Sequence, residues 1–283
     1  MPAFASPGPV LRFWQKHQLA RHLILLTGVL VMALPIWMLF ATSTHAPSTL
    51  VRDGLQWLPG DQLLENYSRT LLQERGFRMQ VTVPNMLLNS LILGVGFAVG
   101  KLLFSMAAAY AIVYFRFPGA TLCFWVIFTT LLFPLEARII PSYQVVSNLG
   151  LLDSYVGLIL PLIASAAGTF FFRQFYRSLP EELLEAAQLD GAGPWKFFKD
   201  ILVPLSRTMM AALVIIMFVV GWNQYLWPLM MTTSEGFTTL MLAIRNARGH
   251  QAFVLAMFAL LPPLLVVILF QRWFIKGLVE VYK

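Results

Sequence analysis

With a single cysteine, Cys123, among 283 residues, the chain can form no internal disulfide and no cysteine metal cluster. Charge is scarce as well: 12% of the residues are charged, about half the share usual in a soluble domain. Carboxylates inside apolar stretches are rarer still. Glu136 stands alone at the end of one and Asp153 opens another, too few for a membrane-embedded transferase that gathers acids at one face. The buried acidic or histidine relays of a proton-coupled secondary transporter are also missing. No G-x-x-x-x-G-K-[ST] phosphate loop occurs, so any ATP that drives this chain must be hydrolysed by a partner.

What the chain has in abundance is apolar length. Hydrophobic residues make up 58%, mean hydropathy is +0.72, and the apolar residues form long blocks rather than periodic stripes. Such a block crosses a bilayer core of about 30 Å with roughly 20 helical residues. Six blocks qualify, near 23–41, 86–114, 119–135, 154–172, 208–230 and 252–271. The first exceeds the ~7–15 residues of a cleaved signal's apolar core and reads as a retained helix. Pro35, Pro134, Pro161, Pro228, Pro262 and Pro263 fall inside blocks, where neighbouring helices can satisfy the freed carbonyls. The expected fold is all-α: a polytopic membrane protein with six transmembrane helices.

The formal charge of +7 could suggest nucleic acid, but basic residues that collect in cytoplasmic loops explain it better. With the N-terminus inside, twelve Lys and Arg fall in inner segments and seven in outer ones, including Arg52, Arg69, Arg75 and Arg78. Both termini are therefore expected in the cytoplasm. The segments are a cytoplasmic N-terminus at 1–22, a first helix at 23–41 and a periplasmic loop at 42–84. A membrane core at 85–276 and a cytoplasmic tail at 277–283 follow.

The inner loop at 178–204 is the most informative. Ser178-Leu-Pro-Glu181 has the spacing of a capping box, with Pro180 in the first turn. A short helix is expected through Leu183, Leu184, Ala186, Ala187 and Leu189, ended by Gly191, since glycine takes the left-handed conformation readily. A second segment, 194–202, carries Trp195, Phe197 and Phe198, and Pro204 precedes the fifth block. The result is a helix–turn–helix whose small residues admit a partner's backbone. A surface helix that packs on the membrane and binds nothing would share much of this pattern.

Glu185-Ala186-Ala187, then Gly191 after three residues, then Ile201-Leu202-Val203-Pro204 after nine, resembles the EAA loop of ABC importer permeases. Asp190-Gly191-Ala192 matches the family's common D-G-A, and Val203 is the one departure, where leucine is usual. The resemblance covers about residues 80–276. Segments such as 84–90, 107–111, 115–118, 179–182 and 222–228 are similar to the carbohydrate-type permeases that act as the second of two membrane subunits. Arg116-Phe-Pro, Leu152-Asp-Ser-Tyr155 and Trp222 to Pro228 resemble most the glycerophosphate-importing branch.

The resemblance implies a type I ABC importer permease fold and a non-catalytic subunit forming half of a pore. The implied solute is sn-glycerol-3-phosphate or a glycerophosphodiester, with a sugar or oligosaccharide as the alternative. The implied partners are a second permease subunit, two copies of an ATP-binding subunit and a periplasmic solute-binding protein. No cofactor or metal is expected on this chain; ATP and Mg would belong to the ATPase. Glu185, Ala186, Ala187, Asp190, Gly191 and Pro204 would dock that ATPase, Glu185 through polar contacts and Gly191 by supplying the turn.

Four residues are candidates for the solute pathway. Lys101 sits midway along the second block, where a charge costs roughly 2.5–3.5 kcal/mol and should face protein or water. It could attract an anionic solute, or it could pair with a neighbouring helix or snorkel to the interface. Trp222, Asn223 and Gln224 interrupt the fifth block, either as a pore-lining polar patch or as an interfacial belt with amides bonded across helices. Glu136 and Arg138 lie two apart and should point to different faces of a helix.

Overall fold

The computed structural model describes residues 9–72, 81–115 and 117–279, so Glu74, Arg75, Arg78, Arg116 and the last four residues lie outside the described residues. In chain order come α1 (Pro9–Ser43), α2 (Pro47–Asp53), α3 (Leu63–Leu72) and α4 (Val83–Tyr114). Next are α5 (Ala120–Thr129), α6 (Leu135–Asn148), α7 (Tyr155–Ile159) and α8 (Ala166–Ser178). They lead to α9 (Glu182–Leu189), α10 (Pro194–Phe197), α11 (Val203–Leu205) and α12 (Arg207–Trp222). The chain closes with α13 (Leu226–Met231), α14 (Leu240–Asn246) and α15 (His250–Val279).

Three apolar helices are long enough to cross a bilayer: Gln18–Ser43, Val83–Tyr114 and His250–Trp273. The other spans are bent pairs, Ala120–Leu132 with Glu136–Asn148, Tyr155–Leu162 with Ala166–Ser178, and Pro194–Leu205 with Arg207–Trp222. Their bends are 108°, 48° and 75°. Counting each pair as one span gives six.

The blocks at 119–135 and 154–172 are thus not continuous helices, the third bend falls at Ser206 just ahead of the block at 208–230, and each of the three bends has a local cause. Pro134 takes an extended conformation (φ −62°, ψ 151°) between α5 and α6. Ser165 is also extended, and its hydroxyl accepts from the Gly168 amide at 3.2 Å to start α8 afresh. At the third break Ser206 Oγ donates to the Leu202 carbonyl at 2.6 Å. In the fifth block α12 stops at Trp222, and α13 begins only at Leu226.

The chain forms two compact units. The first comprises Met1–Thr70 and Arg248–Met257. Within it the end of α1 is tied down by polar contacts. Asn66 Nδ2 donates to the Ser43 carbonyl at 3.0 Å and to the His45 carbonyl at 2.8 Å. Thr44 Oγ1 donates to Ala41 at 2.7 Å and accepts from the Gly60 amide at 2.6 Å. The 18-residue apolar stretch of α1 has none of its residues buried within the chain, as suits a helix that faces lipid or another subunit.

The second unit comprises Leu71–Ala247 and Phe258–Lys283 and is organised around α4, which packs against α8 and α12. Lipid tails give apolar helices no net reason to associate, so close backbone approach does the work. At the α4–α12 crossing a Cβ on Gly221 would sit 2.8 Å from Phe97 Cβ and 3.1 Å from Gly94 Cα. Only glycine fits there. Beside this crossing Leu93, Phe97, Ile139, Leu158, Trp227 and Met231 share a buried cluster.

Candidate functional site

The loop between α8 and α12 folds as a compact hairpin of short helices. Leu179 precedes Pro180, which biases it to an extended conformation (φ −76°, ψ 141°) and ends α8. That geometry overturns the expected capping box. Ser178 belongs to α8, and its hydroxyl donates to the Phe175 carbonyl at 2.7 Å, while Glu181 occupies the N-cap of α9 without a side-chain cap. Glu182 and Glu185 still lie in the first turn, where they complement the positive helix terminus.

The far end of α9 is built as expected. Gly191 has φ +70°, and the amides of Gly191 and Ala192 donate to Gln188 at 3.0 Å and Ala187 at 2.8 Å. This pair of bonds is a Schellman motif, which turns the chain sharply and satisfies two end carbonyls. The second segment runs from α10 through a short π-helix at Phe198–Leu202 into α11, so Pro204 sits inside a short helix just ahead of α12.

Burial sorts the loop's faces. Ala187, Phe197 and Leu202 are buried, whereas Glu185, Ala186, Asp190 and Gly191 are exposed and Pro204 is half-buried. Leu189 and Trp195 are 89% and 72% exposed and form an apolar tip beside the turn. Leu189 belongs to the helix expected from the sequence but lies off its packed side. Its spacing from Leu184 and Ala187 takes it off the buried stripe, a signal that helical periodicity carries. Between α9, α8 and the end of α4 lies a cavity of about 680 Å³ whose walls include Arg173, Arg177, Glu181 and Glu185. The Arg173 guanidinium lies 3.9 Å from the Phe124 ring centroid, a cation–π contact that joins α8 to α5.

The candidate pathway residues separate into two groups. Lys101 is half-buried on α4, with its ammonium 4.9 Å from the Phe97 ring centroid. It makes no ion pair among the described residues. Arg138 and Glu136 are both exposed on α6 and form no ion pair with each other.

Trp222 is drawn into the core instead: it is 1% exposed, and its indole N–H donates to the Ala259 carbonyl at 3.0 Å. Its ring fills the bundle and is not available to line a pore. Asn223 is exposed but bonds within its own helix, to the Val219 carbonyl at 2.9 Å, rather than across helices. Gln224 is half-buried beside it.

A polar network that sequence reasoning did not single out as a site occupies the other end of α4. Asn89 Nδ2 donates to Gly236 at 2.8 Å and Thr238 at 2.9 Å, and Asn89 Oδ1 accepts from Tyr155 Oη at 2.7 Å. Ser90 Oγ accepts from the Leu240 amide at 2.9 Å. Asp153, with φ +53°, accepts from the Thr233 and Ser234 amides at 2.7 Å each and from the Thr233 hydroxyl at 2.6 Å. The resembling segments at 84–90 and 152–155 thus meet in space over the 232–240 stretch.

Burial opposes ionisation of Asp153, but the bonds from Thr233 and Ser234 outweigh it and hold the carboxyl below its ordinary value of 3.8. A depressed pKa contributes stability that is complete above the unfolded value and fades as pH falls through the folded one. Resistance to thermal unfolding should therefore fall between about pH 5 and pH 3 more steeply in wild type than in Asp153→Asn. An identical pH slope in the two proteins would rule out this contribution.

Residues 91–280 match the family model described as "Binding-protein-dependent transport system inner membrane component". The chain is 44% identical over 270 residues to the sn-glycerol-3-phosphate transport system permease protein UgpE of Brucella melitensis biotype 1, covering 93% of this chain and 96% of that protein. A protein of the same name from Agrobacterium fabrum is 43% identical over 270 residues, with the same coverage. The fold is shared with a chain from the crystal structure of a bacterial ABC transporter involved in the import of the acidic polysaccharide alginate. There the TM-score is 0.78 at 21% identity, covering 96% of this chain and 100% of the other.

Proposed function

Because the chain belongs to the family of binding-protein-dependent transport system inner membrane components, we propose that it forms half of the translocation pore of an ATP-driven importer of sn-glycerol-3-phosphate or glycerophosphodiesters. The chain is a transport subunit. A second permease completes the pore, two copies of an ATP-binding subunit supply the energy with ATP and Mg, and a periplasmic binding protein delivers the solute. Both termini lie in the cytoplasm, which puts the 178–206 hairpin on the side where ATP is found.

The observation that carries the transport mechanism is the exposed turn at Gly191. Glu185, Ala186 and Asp190 stand outward beside the apolar tip of Leu189 and Trp195, and a fixed glycine turn holds them together. An apolar tip with a charged rim is the surface a partner's cleft can take up. Closure of the ATPase pair would move this hairpin as a body and switch the pore between outward and inward access.

The solute class is supported by Lys101 and Arg138. Two cations, neither in an ion pair with a carboxylate among the described residues, favour an anionic solute over a neutral sugar. The test is ATP-driven uptake in proteoliposomes carrying the whole complex, with radiolabelled sn-glycerol-3-phosphate and with glycerophosphocholine or maltose as competitors. Competition by the diester but not by maltose is expected. Lys101→Met should lower uptake of the phosphate solute by about tenfold, the scale of one lost charge-assisted hydrogen bond. Preferential maltose uptake, or a Lys101→Met complex that transports normally, would overturn the assignment of solute or of residue respectively.

A further inference from the structure

We propose that α4 is the strut that carries the stroke of the 178–206 hairpin across the membrane, and that Tyr110 and Tyr114 are the positioning residues that fasten it to the hairpin. The inference rests on the reading of that hairpin as the ATPase contact. The hairpin is covalently continuous with α8 and α12, so those two helices move with it in any case. α4 has no such link and follows through its packing on α8 and α12 and through the contacts it makes with the hairpin itself.

Those contacts are specific. Tyr110 Oη donates to the Pro194 carbonyl at 2.8 Å, and its ring lies 5.0 Å from that of Phe198. Tyr114 meets Phe197 edge-on at 5.2 Å and donates to the Tyr176 carbonyl at 3.3 Å. Phe197 is 2% exposed, so the hairpin's second helix is plugged against α4 rather than resting on it. Aromatic pairs of this kind add about 0.5–1.5 kcal/mol each beyond area burial.

The helix itself is suited to transmit force. Of the three unbroken spans, α1 contains Pro35 and α15 contains Pro262 and Pro263, whereas α4 has proline only in its first turn. Kinks in long helices often arise at interior prolines, and α4, with none, runs unbroken from Val83 to Tyr114. Some 20 residues from Tyr110, roughly 30 Å along the axis at 1.5 Å per residue, Asn89 and Ser90 grip the 236–240 stretch. One unbroken helix therefore holds the hairpin at one end and the segment between α13 and α14 at the other. Lys101 lies between the two grips, so a shift of α4 also moves the candidate solute contact.

The test is the number of solute molecules transported per ATP hydrolysed, measured with the complete complex in proteoliposomes. Tyr110→Phe removes only the Pro194 bond, and Tyr110→Ala also removes the ring. Tyr110→Phe should lower the transport-to-hydrolysis ratio severalfold with the ATPase still bound and hydrolysis within twofold of wild type. Tyr110→Ala, where it assembles, should lower the ratio further. Asn89→Ala, at the other grip, should lower the same ratio. Sites this far apart normally act independently. If both act through one strut, Tyr110→Phe with Asn89→Ala should be no worse than the poorer single variant. Multiplying losses in the double variant would overturn the proposal, as would transport and hydrolysis falling in proportion or an unchanged ratio in Tyr110→Phe. Failure of the wild-type complex to retain its ATPase would instead count against the hairpin as the docking element.

Discussion

Gly191→Pro is expected to reduce ATP-driven uptake to background while the chain still inserts into the membrane. Gly191 needs φ +70°, and its amide donates to the Gln188 carbonyl at 3.0 Å. Proline fixes φ near −65° and has no amide proton, so both halves of the turn fail together. The loss of about 3 kcal/mol or more corresponds to at least roughly a hundredfold in a coupled rate. A graded series separates this cause from crowding. No atom lies within 4 Å of a Cβ at this position, so any effect of a small side chain comes from the backbone alone. Asparagine tolerates the left-handed region and should retain most uptake, and alanine should fall between asparagine and proline. Uptake, alkaline-extraction resistance and co-purification of the ATPase read out the series. Wild-type uptake in Gly191→Pro would show that the turn plays no part in coupling.

Trp227→Ala should be the most damaging single truncation for the fold. The side chain is fully buried, and its indole N–H donates to the Leu158 carbonyl at 2.9 Å. It packs with Leu93, Phe97, Ile139 and Met231, so its removal leaves a cavity at the junction of α4, α6, α7 and α13. Such truncations cost about 3–5 kcal/mol against a total stability of ~5–15 kcal/mol. For a chain of this size that is a fall in melting temperature of about 10 °C, measurable on detergent-purified protein. Trp195→Ala is the informative contrast. At 72% exposure it should leave the melting temperature unchanged and weaken retention of the ATPase. If Trp227→Ala melts like wild type, this junction contributes little to the fold.

Much of the fold and part of the site were legible because they depend on short-range chemistry. Apolar length marked the α4 and α15 spans without reference to any partner, and Gly191 announced its turn through a conformation that few other residues accept. Local patterns fail to decide the structure where two elements compete for one group. Ser178 has the spacing of a capping box, but Leu179 is forced extended by Pro180, which assigns the serine hydroxyl to α8 instead. Trp222 has the composition of an interfacial or pore-lining residue, yet its N–H finds the Ala259 carbonyl, 37 positions away, and the ring goes inward.

By itself, then, the sequence determined the class of protein, its apolar spans and the location of the turn at Gly191. Each of these follows from bilayer thickness or from the backbone freedom of a single residue. The tertiary structure decided where the spans break and which polar residues meet. It joined Asn89 to the 236–238 stretch and Asp153 to Thr233, and it set Tyr110 against Pro194. Such pairings lie scores of residues apart and involve groups that any of several neighbours could satisfy. Their selection depends on how the helices pack, which no local pattern encodes.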